Sequence, residues 1–114
     1  MNMDKRQHPR ARCEIDSSFK NLDRLSASST AETMVQDISE GGIRFYTNEF
    51  IPIHHKLLFK IHIPGQKSIE ALAQPAWIKE VPRVSQYDIG AKFLSLSDED
   101  REIIRQFTTS LPVA

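Results

Sequence analysis

The sequence predicts a small antiparallel β-barrel followed by a C-terminal helix. Three observations lead to this prediction: short alternating apolar segments recur along the chain, turn residues separate them, and the last segment has helical spacing. The chain has 114 residues, which is enough for one compact domain. Charged residues make up 26% and apolar residues 39%, as in globular proteins and unlike disordered chains.

A strand–turn–strand unit is predicted in the first half of the chain. Strand-like patterning begins at Cys13, and residues 20–32 are polar enough to form either a loop or a short strand pair. Residues 33–39 (TMVQDIS) form the next strand-like segment, which ends at the turn signal of residues 40–42 (EGG). The alternating residues 43–46 (IRFY) then predict the strand that returns from this turn.

Three more strands are predicted in the second half of the chain. In residues 56–63 (KLLFKIHI) the odd-numbered positions are apolar and the even-numbered ones are polar, with Leu58 as the exception. Residues 69–81 form the next strand, in which Pro75 indicates a bulge or an edge position. Residues 87–94 alternate in the same way and form the last strand.

The chain ends in a helix that begins at about residue 97. Residues 97–100 (SDED) resemble a capping box, in which a hydroxyl caps the helix and a carboxylate follows three residues later. The acidic residues also suit the positive end of the helix dipole. Apolar residues recur at helical spacing and are predicted to pack on the core: Ile103, Ile104, Phe107 and Leu111.

The charge distribution separates the first twelve residues from the rest. Fifteen Lys and Arg residues balance fifteen Asp and Glu residues, so the formal net charge is zero and extended nucleic acid is disfavoured as a partner. Residues 1–12 carry four basic residues and Asp4, a local charge of +3, which leaves −3 for residues 13–114. We therefore predict a flexible basic arm over residues 1–12 and a single barrel domain over residues 13–114.

Several classes of function are excluded by composition. The single cysteine, Cys13, rules out a disulfide framework and a Cys-built zinc site within one chain. His54, His55 and His62 lack a carboxylate spaced to complete a ligand set, so no metal site is predicted. The sequence has no nucleophile–base arrangement and no phosphate loop, so we predict no catalytic residues and no enzymatic activity. No apolar run approaches the ~18–20 residues of a membrane span, and the N-terminal residues are polar, so we expect a cytoplasmic location without membrane insertion.

Two motifs carry candidate binding chemistry. Arg6 and Arg10 lie four residues apart in the basic arm. Asp37 and Ser39 lie at the end of a predicted strand, where residues two apart face the same way and present a carboxylate beside a hydroxyl. The glycines at residues 41–42 permit positive φ and a close approach of a ligand to the backbone. A second interpretation is that the aspartate and the serine bond the amides of their own turn.

Together these motifs resemble the signature of the PilZ domain family, whose members include bacterial receptors for cyclic di-GMP. That signature is RxxxR near the N-terminus, followed by [DN]xSxxG at a strand–turn–strand junction. Arg6 and Arg10 match the first part, and Asp37, Ser39 and Gly42 match the second. The last predicted strands and the capped helix also resemble the closing elements of the family. The resemblance covers almost the whole chain and implies a six-stranded antiparallel (split) β-barrel with a C-terminal α-helix.

The resemblance implies a role for each motif residue toward cyclic di-GMP. Arg6 and Arg10 clamp guanine and phosphate, because a guanidinium pairs bidentately with the guanine O6/N7 edge and also holds phosphate. Asp37 accepts hydrogen bonds from the guanine N1 and N2 donors, with help from Ser39. Gly42 admits the ligand.

Four further residues are candidate contacts: Lys5, Arg12, Gly41 and Trp77. Lys5 precedes the first motif arginine, the family position that influences whether one ligand or a stacked pair binds, and it leaves the stoichiometry open. Arg12 either adds a phosphate contact or begins a strand with its side chain in water. Trp77 either belongs to the core or lies beside the bound guanine.

We therefore expect a non-enzymatic receptor that needs no cofactor. Cyclic di-GMP would order its N-terminal arm and so present a new surface to a downstream protein partner. In this family such modules act in motility, biofilm and exopolysaccharide production, and pilus or flagellar regulation, and the residues do not select among these outputs.

Two alternatives remain at the level of sequence. One is a PilZ-like adaptor that binds a protein partner without nucleotide, against which the intact motifs argue. The other is a small barrel that binds single-stranded nucleic acid with its basic arm. That function requires exposed aromatic stacking platforms, and the balanced total charge gives it little support.

Overall fold

Six strands and one helix make up the part of the protein that the structure describes. The computed structural model describes residues 11–24 and 29–110 of the chain. The elements are β1 (Ala11–Asn21), β2 (Ala31–Ile38), β3 (Gly42–Thr47), β4 (Leu57–Ile61), β5 (Ile69–Val81), β6 (Gln86–Ser95) and α1 (Asp98–Ser110). Their order along the chain is the predicted one.

Alternating burial divides each strand into an inner and an outer face. In β4, Leu57, Phe59 and Ile61 are fully buried, whereas Leu58 is 40% exposed. Leu58 was the apolar exception at an outward position in the sequence pattern, and the structure places it on the outer face. Ile63, which follows β4, is buried as its odd-numbered position predicts.

The six strands close into a barrel with the order β1-β2-β3-β6-β5-β4. Each neighbouring pair is antiparallel, and β1 pairs with both β2 and β4, which joins the two ends of the sheet. Closure pairs strand edges that would otherwise offer unpaired backbone groups to another chain. The predicted antiparallel six-stranded barrel with a C-terminal helix is therefore confirmed.

A cluster of three phenylalanines fills the barrel interior. The ring centroids of Phe19 and Phe59 are 5.1 Å apart, those of Phe45 and Phe59 are 4.9 Å apart, and those of Phe19 and Phe45 are 5.4 Å apart. The three rings come from β1, β3 and β4, so this cluster joins strands that are not all neighbours in the barrel. Aromatic contacts of this kind add to the hydrophobic free energy of burial.

A β-bulge in β2 changes which of its side chains face outward. Val35 pairs with Phe45 but Asp37 pairs with Arg44, so two residues of β2 advance against one residue of β3. Val35 and Ile38 are both buried in the core although they are three residues apart. Asp37 consequently lies on the outer face, opposite Arg44.

A second bulge reorients β5. Pro75 pairs with Ala91 and Trp77 pairs with Gly90, so two residues of β5 advance against one of β6. The pairing of β5 with β4 ends at Ala73, and Pro75 lies beyond it. The prediction that Pro75 marks a bulge or an edge is confirmed, because the proline sits at the bulge on a stretch of β5 that β4 does not flank. Trp77 then lies on the outer face.

The helix begins with a serine cap that also connects it to the barrel. Ser97 Oγ accepts a hydrogen bond from the Asp100 amide at 3.0 Å, as an N-cap residue does. The reciprocal half of the predicted capping box is replaced, because the Asp100 carboxylate accepts from the Glu70 amide of β5 at 3.2 Å. The Asp100 carboxylate therefore bonds β5 and not the amide at the start of its own helix, and this bond attaches the start of α1 to β5.

One face of α1 packs on the core. Ile103, Ile104 and Phe107 are buried there as predicted, whereas Leu111 lies outside the described residues. Within residues 11–24 and 29–110, no helix has both the length and the apolar character needed to span a bilayer.

The connection between β1 and β2 occupies much of the polar segment predicted as a loop or a short strand pair. β1 continues to Asn21 and β2 starts at Ala31, and residues 25–28 lie outside the described part. β1 starts at Ala11, so its first two residues belong to the predicted basic arm. The other ten residues of that arm are outside the described part as well.

We predict that Leu57→Ala and Leu58→Ala differ sharply in stability although they are the same substitution at adjacent positions. Leu57 is fully buried, so its truncation leaves a cavity and should lower the free energy of unfolding by about 2–5 kcal/mol. Leu58 is 40% exposed on the outer face and should cost about 1 kcal/mol or less. Urea unfolding measures both values, and equal losses would contradict the assignment of the two faces of β4.

Candidate ligand-binding site on the outer face of the barrel

The β2–β3 turn is held by Ser39. Its amide donates to the Gly42 carbonyl at 2.9 Å, and its Oγ accepts from the Gly41 amide at 3.1 Å. For the serine, the interpretation that it bonds the amides of its own turn is therefore confirmed. Its hydroxyl hydrogen remains a potential donor, because a hydroxyl accepts through its lone pairs and donates separately.

Gly42 is required by the spacing of the strands. A Cβ at this position would lie 2.2 Å from the Ala91 carbonyl oxygen of β6, far closer than two such atoms can approach. The turn glycines permit positive φ but do not adopt it, because positive φ among the described residues occurs at Gly65 and Arg83. Gly42 thus allows β3 and β6 to approach each other at the start of their pairing.

Asp37 is a buried carboxylate on the outer face of β2. Its exposed fraction is 1%, and its Oδ2 accepts a hydrogen bond from Arg44 Nη1 at 2.7 Å. Asp37 bonds the Arg44 side chain and not the amides of the β2–β3 turn. The interpretation that the motif residues bond the amides of their own turn therefore holds for Ser39 and not for Asp37. The bulge in β2 explains the difference, because it turns Asp37 toward the arginine across the strand pair.

Arg44 joins three side chains on the outer face. Its Nε donates to Asp88 Oδ1 at 3.0 Å and Oδ2 at 3.2 Å, its Nη1 donates to Asp37, and its Nη2 donates to the Tyr46 hydroxyl at 3.0 Å. The guanidinium carbon also lies 5.5 Å from the centre of the Tyr46 ring. The hydrogen bond to Asp37 is the largest of the effects that raise the pKa of Arg44, so the guanidinium carries its charge at all working pH values.

The strand register aligns five positions in one row across the outer face. Arg12 of β1 pairs with Asp37 of β2, which pairs with Arg44 of β3, which pairs with Gly90 of β6, which pairs with Trp77 of β5. Directly paired positions on one face are neighbours in an antiparallel sheet. This outer row brings the second motif beside the strand that continues the basic arm.

Trp77 covers the backbone of Gly90 at the far end of the outer row. A Cβ on Gly90 would lie 2.2 Å from Trp77 Nε1, so the indole occupies the space of a side chain. Trp77 is 37% exposed, and Lys79 Nζ lies 5.4 Å from the centre of its ring. Of the two interpretations of Trp77, the core position is excluded, and the residue presents an aromatic surface on the face that carries Asp37.

The turn is also attached to the helix. Arg105 of α1 donates to both carboxylate oxygens of Glu40, at 3.1 Å and 3.3 Å, and Arg101 donates to the Glu40 carbonyl at 3.4 Å. These contacts link the residue after Ser39 to two turns of α1. The position of the β2–β3 turn therefore depends on the helix as well as on the two strands.

Cys13 lies in a low-polarity environment near Asp37. Its Sγ donates to the Val35 carbonyl at 3.7 Å. Burial, with a smaller contribution from the negative charge of Asp37, raises the pKa of the Cys13 thiol to about 12. A thiol of this kind is a poor nucleophile at neutral pH, because the thiolate is the reactive form.

Two of the three histidines considered as metal ligands, His55 and His62, lie within hydrogen-bond distance of neighbouring side chains. His55 Nδ1 lies 2.9 Å from Asn21 Nδ2, and His62 Nδ1 lies 2.7 Å from Ser68 Oγ. The described residues contain no group of three or more His, Cys, Asp and Glu side chains that could hold a metal ion.

Several of the predicted contacts fall outside what the structure describes. Lys5, Arg6 and Arg10 lie outside the described residues, and for Arg12 the structure supplies the backbone position in β1. Asp37, Ser39, Gly41 and Gly42 lie together at the β2–β3 junction, and Trp77 lies on the same outer face.

Sequence reasoning missed Arg44, Asp88 and Tyr46. A signal for Arg44 was present, because it occupies an outward position of the strand that follows the motif turn. The role of Asp88 could not be inferred, since it depends on the pairing of β3 with β6, forty-four residues away in the sequence.

Comparison with known proteins supplies a family for this fold and site. A family model described as "PilZ domain" matches residues 4–110. The matched range includes both arginines of the first motif and the whole of the β2–β3 turn. No curated protein sequence matches the chain significantly.

Solved structures of low sequence identity share this fold. The inhibitor of motility MotI (DgrA) of Bacillus subtilis has a TM-score of 0.79 at 18% identity, over 94% of this chain and 51% of that one. The PilZ domain of Escherichia coli YcgR with c-di-GMP has a TM-score of 0.68 at 15% identity, over 95% of this chain and 92% of that one. The MrkH–c-di-GMP complex of K. pneumonia has a TM-score of 0.62 at 17% identity, over 94% and 52%. The chain thus spans about half the length of MotI and MrkH and nearly all of the YcgR domain.

We predict that the thiol of Cys13 reacts slowly in the native protein and that Asp37→Asn makes it react faster. With a pKa of about 12, about one thiol in ten thousand is ionised at pH 8, and the labelling rate should rise about tenfold per pH unit up to pH 10. Removing the Asp37 charge lowers the pKa of the thiol and raises the rate at a fixed pH. Cys13 is the single cysteine, so labelling with a thiol reagent reports this site alone.

The matched control for this prediction is Glu32→Gln, which removes an exposed carboxylate of the same strand as Asp37 that is not among the groups raising the pKa of the thiol. It should leave the labelling rate unchanged. A native rate that reaches a plateau near pH 9 would contradict the burial of Cys13.

Proposed function

The chain belongs to the PilZ domain family, and from this membership we propose that it is a non-enzymatic receptor for cyclic di-GMP. Cyclic di-GMP is the ligand named with the solved structures of the YcgR PilZ domain and of MrkH. The proposed site is the outer row of the barrel together with the basic arm. Its contacts are Arg6, Arg10, Asp37, Ser39 and Gly42.

One observation carries this proposal: the register of β1 and β2 supports a single site built from both motifs. Arg12 pairs with Asp37 across the two strands. Arg10 precedes Arg12 by two residues, so the covalent chain limits the separation of their Cα atoms to about 7 Å. A guanidinium from the first motif is therefore within reach of a ligand that contacts the carboxylate of the second.

The charges of the outer row support a division of labour between the motifs. Arg44 donates to Asp37, Asp88 and Tyr46, and the two carboxylates offset its positive charge. The two phosphates of the ligand then need other cations, and Arg6 and Arg10 of the first motif are the arginines proposed to supply them. Arginine suits both phosphate and the O6/N7 edge of guanine, because its planar fork forms bidentate hydrogen bonds.

The motif at the turn supplies the acceptors that guanine requires. Asp37 accepts from the N1 and N2 donors of guanine, and the Ser39 hydroxyl assists beside it. Asp37 is 1% exposed, so guanine reaches it only when the packing around the carboxylate opens. We therefore propose that binding is coupled to a rearrangement of the arm next to β1, in which the ligand orders residues 4–12.

Additional contacts extend the proposed site along the row. Trp77 offers an exposed indole on the same face, suited to stacking on a purine. Lys5 and Arg12 supply further positive charge toward phosphate, and Gly41 is an exposed turn residue without a side chain to obstruct the ligand. The ordered arm then forms the surface that a downstream protein partner recognises. We propose that the protein acts in the cytoplasm and that this contact regulates motility, biofilm formation, or pilus and flagellar function.

Calorimetric titration with cyclic di-GMP tests this function. We predict micromolar or tighter binding by the native chain. Arg10→Ala should weaken binding about a hundredfold or more, because two charge-assisted hydrogen bonds are lost. Asp37→Asn should weaken it about tenfold, because an amide cannot accept both guanine donors. Arg24→Ala is the matched control and should bind like the native chain, since Arg24 pairs with Glu49 just past the opposite end of β1.

A native chain that does not bind cyclic di-GMP would exclude the receptor function and favour the adaptor that binds a protein alone. Binding to oligonucleotides with a steep dependence on salt would favour the nucleic-acid function instead.

We also predict that saturating cyclic di-GMP slows amide hydrogen exchange in residues 4–12. The reason is that an arm clamped on the ligand exposes fewer of its amides to solvent. Exchange measured by mass spectrometry with and without ligand checks this, and the Arg10→Ala variant under the same conditions is the control. Identical exchange in residues 4–12 would contradict the arm-ordering mechanism while leaving ligand binding itself intact.

A further inference from the structure

We infer that Arg44, braced by Asp88, is a positioning residue that fixes the Asp37 carboxylate for reading guanine. This inference rests on the proposed function and adds two residues that lie outside the signature motifs. Its basis is the geometry of the outer row, in which the Arg44 guanidinium holds Asp37 from β3 and is itself held from β6.

The first step concerns orientation. A carboxylate on a short side chain turns about its χ angles unless a partner fixes it, and Asp37 Oδ2 is fixed by Arg44 Nη1 at 2.7 Å. Guanine presents its N1 and N2 donors side by side, so a carboxylate that pairs with both must have its plane set in advance. Preorganised acceptors bind more tightly, because they lose little conformational entropy when the ligand binds.

The second step concerns how Arg44 is itself held. Asp88 receives the Nε hydrogen at 3.0 Å and 3.2 Å, and the Tyr46 hydroxyl lies 3.0 Å from Nη2. These contacts come from β6 and from β3 two residues further along. The guanidinium is therefore fixed on the sides away from Asp37, and its three nitrogens are each committed to a protein partner.

The third step separates positioning from direct contact. Each of the three nitrogens of Arg44 donates within the protein, which fixes the plane of the guanidinium, while Nη1 and Nη2 each keep a second N–H. The role assigned to Arg44 is to act through Asp37, and a double-mutant cycle distinguishes this role from a bond between Arg44 and the ligand. Lysine cannot replace it, since one ammonium cannot hold Asp37, Asp88 and Tyr46 in a fixed plane. Asp88 acts one step further away, by holding Arg44.

A double-mutant cycle with cyclic di-GMP as the probe tests this inference. Arg44→Gln should raise the dissociation constant about tenfold, and Arg44→Lys should do nearly as much. Asp88→Asn leaves the contact between Arg44 and Asp37 in place and should raise the constant about threefold. In an Asp37→Asn background, Arg44→Gln should change binding by about twofold or less, because the carboxylate on which it acts is gone. Arg24→Gln is the matched control, an arginine paired with Glu49 that lies away from the row, and should bind normally.

Thermal unfolding accompanies each titration, so that loss of fold is separated from loss of binding. If Arg44→Gln does not fold, Asp88→Asn carries the test, because it leaves the contact with Asp37 in place. Equal or tighter binding by a folded Arg44→Gln or Asp88→Asn variant would overturn the inference. A full loss that persists in the Asp37→Asn background would also overturn it and make Arg44 a direct ligand contact. A native chain that fails to bind cyclic di-GMP would instead overturn the proposed function, and the inference with it.

Discussion

A single extra residue in β2 determines where the site can form. The inner face of a strand is normally occupied by every second residue, yet Val35 and Ile38 both lie in the core. The bulge between them satisfies both apolar side chains and leaves Asp37 facing outward against Arg44. Without the bulge, strict alternation would put Val35 and Asp37 on the same face, so burying Val35 in the core would also point Asp37 into it.

Barrel closure supplies the other half of the arrangement. The outer row draws on five strands, and no two of its members are close in sequence except those on either side of the β2–β3 turn. Glycines at two points allow the wall to be this tight, since a side chain on Gly42 would strike β6 and one on Gly90 would strike the indole of Trp77. The site is thus a property of the closed sheet and not of the turn alone.

The fold could be predicted from the sequence because its signals are local. The alternation in β4, the break at Pro75 and the serine before α1 each act within a few residues, and each corresponds to what the structure contains. Where a long-range partner competes with a local one, the local pattern misleads. The Asp100 carboxylate bonds β5 instead of closing its own capping box, and Asp37 bonds Arg44 instead of its own turn.

The site could be predicted in part for the same reason. A motif identifies Asp37, Ser39 and Gly42, but the partners that hold them depend on strand pairing that spacing alone does not reveal. Gly42 was identified by its place in a motif, and its physical reason became clear only from the carbonyl of Ala91. Glu40 lies at a position of the motif where any residue is allowed, and yet its carboxylate accepts the hydrogen bonds from Arg105 that attach the turn to α1.

Trp77 gives the protein a built-in optical reporter. It is the single tryptophan of the chain, it is 37% exposed, and it lies in the same row as Asp37 with a lysine ammonium near its ring. Indole emission responds to the polarity, charge and stacking of its surroundings, so the tryptophan fluorescence of this chain, excited apart from its two tyrosines, comes from one place on one face. A change in that face alters the whole tryptophan signal, and an event elsewhere in the barrel leaves it nearly constant.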